Sequence, residues 1–140
     1  PSPLPLAMLV QTASQIVAAE LRAAGGRIEC PAVNPDLAVQ AQEIELTQAL
    51  VNLLRNALVA SPGAAVTLAV DVRDERARII VANPLAATDA PADGSSQHGG
   101  MGIGLVIART IVEAHGGTFT RHDAPGVARF VISLPLLAGA

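Results

Sequence analysis

Aromatic side chains are almost missing from this sequence. Phe119 and Phe130 are the whole complement, and neither tyrosine nor tryptophan occurs. A base-stacking platform needs several aromatic faces, so single-stranded nucleic acid is a poor match. The core has to come from Ala, Val, Leu and Ile, which the 51% hydrophobic content supplies amply. Cys30 is the only cysteine. One thiol forms no internal disulfide and builds no cysteine-ligated metal cluster, and it fits a reducing compartment. Positive charge is short too: nine Lys plus Arg against twelve Asp plus Glu give a formal net charge of -3. That is the wrong sign for a general nucleic-acid surface. No apolar run reaches the ~20 residues of a membrane-spanning helix, and no signal peptide is visible.

What is present has the size of one domain, 140 residues, without an internal repeat or a domain boundary. The opening PSPLPL reads as extended chain and as part of something longer. From 7 to 24, apolar residues at 9, 10, 13, 16, 17 and 21 predict a helix, with Gly25-Gly26 as its stop. RIEC (27–30) reads as a short strand, PAVNPD as a break, and LAVQA (37–41) as a weakly alternating strand. The clearest helix covers 43–60, with Leu46, Leu50, Leu53, Leu54 and Ala57 on one face and Ser61-Pro62-Gly63 at its end. Strands at 65–73 and 76–83 form a hairpin across Asp74-Glu75. From Pro84 to Gly100 there is no periodicity, so a long loop is expected. A helix over roughly 102–115 follows, then a second hairpin, TFTRHD with VARFVISLP, around Pro125-Gly126. Helices alternate with hairpins rather than with single strands. That pattern predicts an α+β fold with helices on one face of a mixed sheet, not a doubly wound parallel one.

Two stretches carry candidate chemistry. In NLLRNA, Asn52 and Asn56 lie four apart and therefore on one helix face, beside the leucine stripe. Asn competes with the helix backbone, so two of them in an apolar helix need partners. They are either an exposed, locally bonded pair or a polar ledge whose amide oxygen meets a hard cation. In HGGMGIGLVIARTIVEAHGG (98–117), glycines at 99, 100, 102 and 104 precede a strongly apolar helix. Glycines there let a ligand approach the backbone, and a helix N-terminus attracts anions, phosphate above all. The alternative is a flexible hinge that closes the preceding loop. No Gly-Lys-Ser/Thr follows, and the glycines follow a loop instead of a strand, so neither common nucleotide fingerprint applies.

Taken together, these stretches resemble the catalytic, ATP-binding domain of sensor histidine kinases, in the superfamily of gyrase, MutL and the heat-shock chaperone ATPase. LTQALVNLLRNALVAS (46–61) is similar to the N box, GGMGIGLVIARTIVEAHGG (99–117) to the second glycine box, and VARFVISLP (127–135) to the closing strand. PLPLAMLVQTA resembles the usual first strand and helix. The similarity runs the length of the chain, in order. It implies the Bergerat fold: a two-layer α/β sandwich with three helices on one face of a mixed, mainly antiparallel five-stranded sheet. It also implies ATP and magnesium as ligands. Asn56 would coordinate magnesium and Asn52 would help hold the phosphates or their water. Gly100, Gly102 and Gly104 would form the lid hinge, with Leu105 packed beneath it. The activity implied is phosphoryl transfer to a histidine on a separate dimerisation domain, itself absent from residues 1–140, with a downstream response regulator as further partner. A cytoplasmic location, no nucleic-acid partner and no membrane-embedded part of this domain go with that reading.

The sequence also departs from the family pattern. Asn83, in NPLAA (83–87), stands where the adenine-reading Asp is expected, and that box has lost both glycines. Its amide oxygen would still accept from the adenine amine, without charge assistance; the alternative is that Asn83 merely ends the strand. Val59 stands where Lys or Arg is common, and Arg55 is on another face. Ala128 stands where Ser or Thr often supports the adenine site, and the lid is short with no phenylalanine-containing box. These changes predict weakened nucleotide affinity. They leave two alternatives: an interaction module that kept the fold, and a serine kinase of the anti-sigma-factor type. His98, His115 and His122 are not expected to accept phosphate, and His115 reads as a cation near helix C-terminal carbonyls.

Overall fold

Each helical segment carries one apolar stripe that must be covered, and the covering surface decides the architecture. The computed structural model describes residues 1–85 and 99–137, with the side chains of 99–102 outside that description. Strand β1 (Ser2–Pro5) leads directly into helix α1 (Leu6–Ala23). Leu6, Leu9, Val10, Ala13, Val17 and Leu21 form its buried stripe. Strands β2 (Arg27–Glu29) and β3 (Ala38–Ala41) precede helix α2 (Glu43–Ala60), which buries Leu46, Leu50, Leu53, Leu54 and Ala57. Glu43 and Glu45 occupy the first turn of α2, where the helix dipole favours negative charge. Strands β4 (Ala65–Arg73) and β5 (Arg76–Pro84), helix α3 (Gly99–Ala114) and strands β6 (Thr118–Arg121) and β7 (Val127–Pro135) complete the order.

Five strands make one sheet in the order β2-β4-β5-β7-β6. Only β2–β4 is parallel; the other pairings are antiparallel. Alternate residues, among them Leu68, Ile79, Val81, Ile132 and Leu134, are buried under the three helices. The opposite face mixes charged residues such as Asp71, Arg78 and Arg129 with Ile80 and Val131. On it Arg78 grips Asp71 across the β4–β5 hairpin at 2.8 and 2.7 Å. Those hydrogen bonds hold the Asp71 carboxyl below its usual range. The two phenylalanines meet edge to face, 5.9 Å between centroids. Arg109 lies over Phe119 and Arg121 over Phe130, each at 5.2 Å.

Three features differ from the sequence expectation. β1 pairs with β3 in a separate two-stranded ribbon, and Leu137 donates to Ala38 O beside it at 2.9 Å. No local pattern announces such pairing, because the partners lie far apart in the chain. α3 begins at Gly99, not near 102, so the glycines form its first turns rather than a lead-in. Each added residue gains a helical hydrogen bond, which offsets a glycine penalty of about 1 kcal/mol. Of the expected loop, Pro84 belongs to β5 and 86–98 lie outside the described residues.

The β4–β5 turn is tight and chemically unusual. Asp74 and Glu75 both adopt positive φ, 53° and 63°, closing the strands at the Arg73–Arg76 pair. Such turns favour Asn-Gly because left-handed backbone costs an ordinary residue roughly 1–2 kcal/mol. Glu75→Gly is therefore expected to stabilise the domain by about 1 kcal/mol, read as a higher urea midpoint at unchanged m-value. A lower midpoint would show that the Glu75 side chain compensates the strain.

Candidate functional site

The leucine stripe of α2 fixes how that helix is rotated, and its rotation aims the asparagines. Leu46, Leu50 and Leu53 are fully buried. Asn52 is left half-buried, while Asn56, one turn later, is only 8% exposed. The Asn56 Oδ1 atom is buried with no hydrogen-bond partner. Asn83 sits at the end of β5, on the helix-covered face, and is 2% exposed. Its Nδ2 donates to Ser61 Oγ and to Pro84 O, both at 3.1 Å. Its Oδ1 is buried and unpartnered. These two amide oxygens are the only buried side-chain N or O atoms without a partner among the described residues. Leaving such an atom unpaired costs about 1–3 kcal/mol. Two such orphans, one on α2 and one at the end of β5, make these residues the candidate site.

The third component is the start of α3. At the other end of this helix, Gln42 N–H, at the N-cap of α2, donates to His115 Nε2 at 3.0 Å. His115 Nδ1 lies 2.8 Å from Ile111 O. The end of α3 is thereby tied to the start of α2, against which it packs. Leu105 is half-buried and packs on the core. Gly100 and Gly102 belong to the first turn of α3, where backbone N–H groups lack intrahelical acceptors.

The glycines divide by cause. Gly116 has φ +78°, and a Cβ at Gly117 would lie 2.4 Å from Ser133 O. The fold itself demands both. A Cβ at Gly104 meets nothing within 4 Å, and its φ is ordinary. Packing gives no reason for glycine there, whereas close approach of a ligand does.

His115 corrects one expectation. Its Nε2 accepts a hydrogen bond, so the ring is neutral with its proton on Nδ1, not a cation beside the helix end. Arg55 is held by Glu20 of α1 at 3.0 Å and cannot serve the site. The chain has no lysine. Arg27, Arg78, Arg109 and Arg121 are in ion pairs, and Arg76 is bound to Ser133 and Gly116 O. Burial pushes the Cys30 thiol up, away from the reactive thiolate. His98 lies outside the described residues. Sequence reasoning missed Ser61, which reads locally as a helix stop. Its partner is 22 positions away, and no short-range signal reveals that.

No group of three or more His, Cys, Asp or Glu is placed to hold a metal among the described residues. A neutral amide oxygen suits a hard cation that brings its own anionic ligand, and Asn56 Oδ1 is such an atom. Residues 41–138 match the family described as histidine kinase-, DNA gyrase B- and HSP90-like ATPase. The chain belongs to this ATPase family. Its relatives include the sensor protein FixL of Bradyrhizobium diazoefficiens, 33% identical over 69% of this chain and 22% of its own length. The sensor histidine kinase CusS of Escherichia coli O157:H7 is 35% identical over 77% of this chain and 25% of its own. The chain thus spans about a quarter of the length of these curated relatives. The catalytic domain of histidine kinase ThkA superposes with a TM-score of 0.75 at 22% identity, covering 96% of this chain and 94% of that one. Full-length ShkA in complex with AMPPNP gives 0.79 at 23% identity, over 99% of this chain and 32% of that one. The structural matches speak for the fold, which is the Bergerat-type sandwich expected from the sequence.

If Gly104 serves a ligand in this ATPase fold, its replacement separates stability from binding. Gly104→Ala is expected to stabilise the free domain by about 0.5–1 kcal/mol and to weaken binding of an ATP analogue, compared by thermal melts and titration calorimetry. Unchanged binding would remove Gly104 from the site.

Proposed function

We propose that this domain binds Mg-ATP and presents the γ-phosphate to a histidine on a separate dimerisation domain, as part of a two-component sensor kinase. The carrying observation is the pair of buried amide oxygens, Asn56 Oδ1 and Asn83 Oδ1, left without partners. Asn56 Oδ1 supplies one oxygen ligand to magnesium, and Asn52 holds the phosphates or their water from one turn earlier. Asn83 Oδ1 accepts from the exocyclic amine of adenine. The α3 backbone amides at Gly100 and Gly102, with Gly104 leaving room, face the phosphates. Bound magnesium neutralises phosphate charge. Phosphoryl transfer needs positioning and charge stabilisation more than covalent help, so no nucleophile is required of this chain. With no lysine in the chain, magnesium and helix-end amides carry the neutralisation, and binding depends steeply on the metal.

The partner side also has a place. Ile103, Val106 and Ile107 are exposed on α3, three apolar side chains at helical spacing beside the glycine turns. This face docks on the phosphoacceptor domain, and a response regulator then receives the phosphoryl group. ATP supply sets the site in the cytoplasm. None of the helices among the described residues is long and apolar enough to cross a membrane.

Calorimetric titration with a non-hydrolysable ATP analogue is expected to show binding with magnesium and much less in chelator. Asn56→Ala is expected to weaken the magnesium-dependent binding at least about tenfold, roughly 1.4 kcal/mol. Absence of heat at millimolar nucleotide would overturn the reading. Val106→Asp is expected to leave nucleotide binding intact and to reduce phosphorylation of a dimerisation domain supplied in trans. Undiminished transfer would reject α3 as the docking face.

A further inference from the structure

Asn83 poses a problem that an aspartate would not. An amide has an acceptor end and a donor end, and a half-turn about its last bond exchanges them. With oxygen toward the ligand it selects a purine bearing a 6-amino group. With nitrogen toward the ligand it suits a 6-oxo purine instead. We propose that Ser61 sets the base selectivity of the pocket, by holding the Asn83 amide with its oxygen toward the ligand. The proposal rests on the nucleotide reading above and adds a positioning residue to it.

Three hydrogen bonds form a closed set. Asn83 Nδ2 donates one hydrogen to Ser61 Oγ and the other to Pro84 O, each at 3.1 Å. The Ser61 hydroxyl donates its own hydrogen to the same Pro84 carbonyl. Both amide hydrogens are therefore satisfied inside the protein, and only Oδ1 is left for a ligand. Turning the amide over would set Oδ1 against Pro84 O, acceptor to acceptor, in a position only 2% exposed. Such a mismatch is costly where water cannot relieve it.

Both anchors are held. Ser61 N–H donates to Ala57 O at 3.0 Å, and Leu85 N–H donates to Gly126 O at 2.8 Å, fixing the chain on either side of the contact. The residue opposite Asn83 on β7 is Ala128, which has no hydroxyl. Ser61 thus brings the hydroxyl that the sheet does not supply. It comes from the end of the same helix that carries Asn56, so the orientation of the base-reading amide is set by α2 and not by its own strand. Pro84 O remains when Ser61 is replaced, so its loss loosens the lock without reversing it.

The test compares Mg-bound non-hydrolysable analogues of ATP and ITP, which differ in the 6-amino versus 6-oxo group, by calorimetry on the whole domain. Wild type is expected to prefer the ATP analogue. Ser61→Ala is expected to lower the ATP/ITP affinity ratio by about fivefold, the worth of one hydrogen bond, and Ser61→Thr to keep the wild-type ratio. A carboxylate has no orientation to fix. In an Asn83→Asp background, Ser61→Ala is therefore expected to leave the ratio unchanged. An unchanged ratio in Ser61→Ala with ATP binding retained, or a uniform loss of both ligands at constant ratio, overturns the role of Ser61 alone. Failure of wild type to bind either analogue overturns the nucleotide reading and this inference with it.

Discussion

Burial of the leucine stripe on α2 governs nearly everything else in this domain. Leu46, Leu50 and Leu53 have no measurable exposure, and a helix held by such contacts cannot rotate without opening the core. That rotation sinks Asn56 and leaves Asn52 at the margin. The same helix ends in Ser61, which reaches β5, and begins beside Gln42, which holds α3. One packed element therefore sets the burial of Asn56, reaches Asn83 through Ser61 and holds the end of α3 through Gln42.

The arrangement leaves local stability unclaimed at a few positions. Two buried acceptors stay unpaired and one glycine sits mid-helix without a packing reason. An aliphatic core with hardly an aromatic in it tolerates this because its helices and sheet interlock continuously, from Leu6 in α1 to Leu134 in β7. The neutral Asn83 and the absence of lysine keep charge low where the family usually has more. The balance shifts from charge attraction toward hydrogen-bond geometry. In that setting a single orienting hydroxyl gains importance.

Much of the fold was legible in the chain. The stripe from Leu46 to Ala57, the alternation in VTLAV and RIIVA, and the hairpin across Asp74-Glu75 are local patterns, and local patterns carry periodicity faithfully. Asn52 and Asn56 stood out because two amides in an apolar helix need explaining. The beginning of α3 was harder: glycine propensity argues against helix at 99–101, while hydrogen-bond propagation carries the helix through. The ribbon of β1 with β3 was beyond local reading, since its two strands lie more than thirty residues apart.

By itself the sequence determined which segments are helix or strand, which faces are apolar, and which residue types were available for chemistry. These follow from the 3.6 and 2.0 residue periods and from side-chain identity. Only the tertiary structure decided which polar groups remained unsatisfied. It left Asn56 Oδ1 and Asn83 Oδ1 empty-handed, paired the Asn83 nitrogen with Ser61, and made His115 a neutral acceptor for Gln42. Each depends on a partner distant in the chain. Hydrogen bonding is a matter of ångströms in space, and sequence spacing does not encode it.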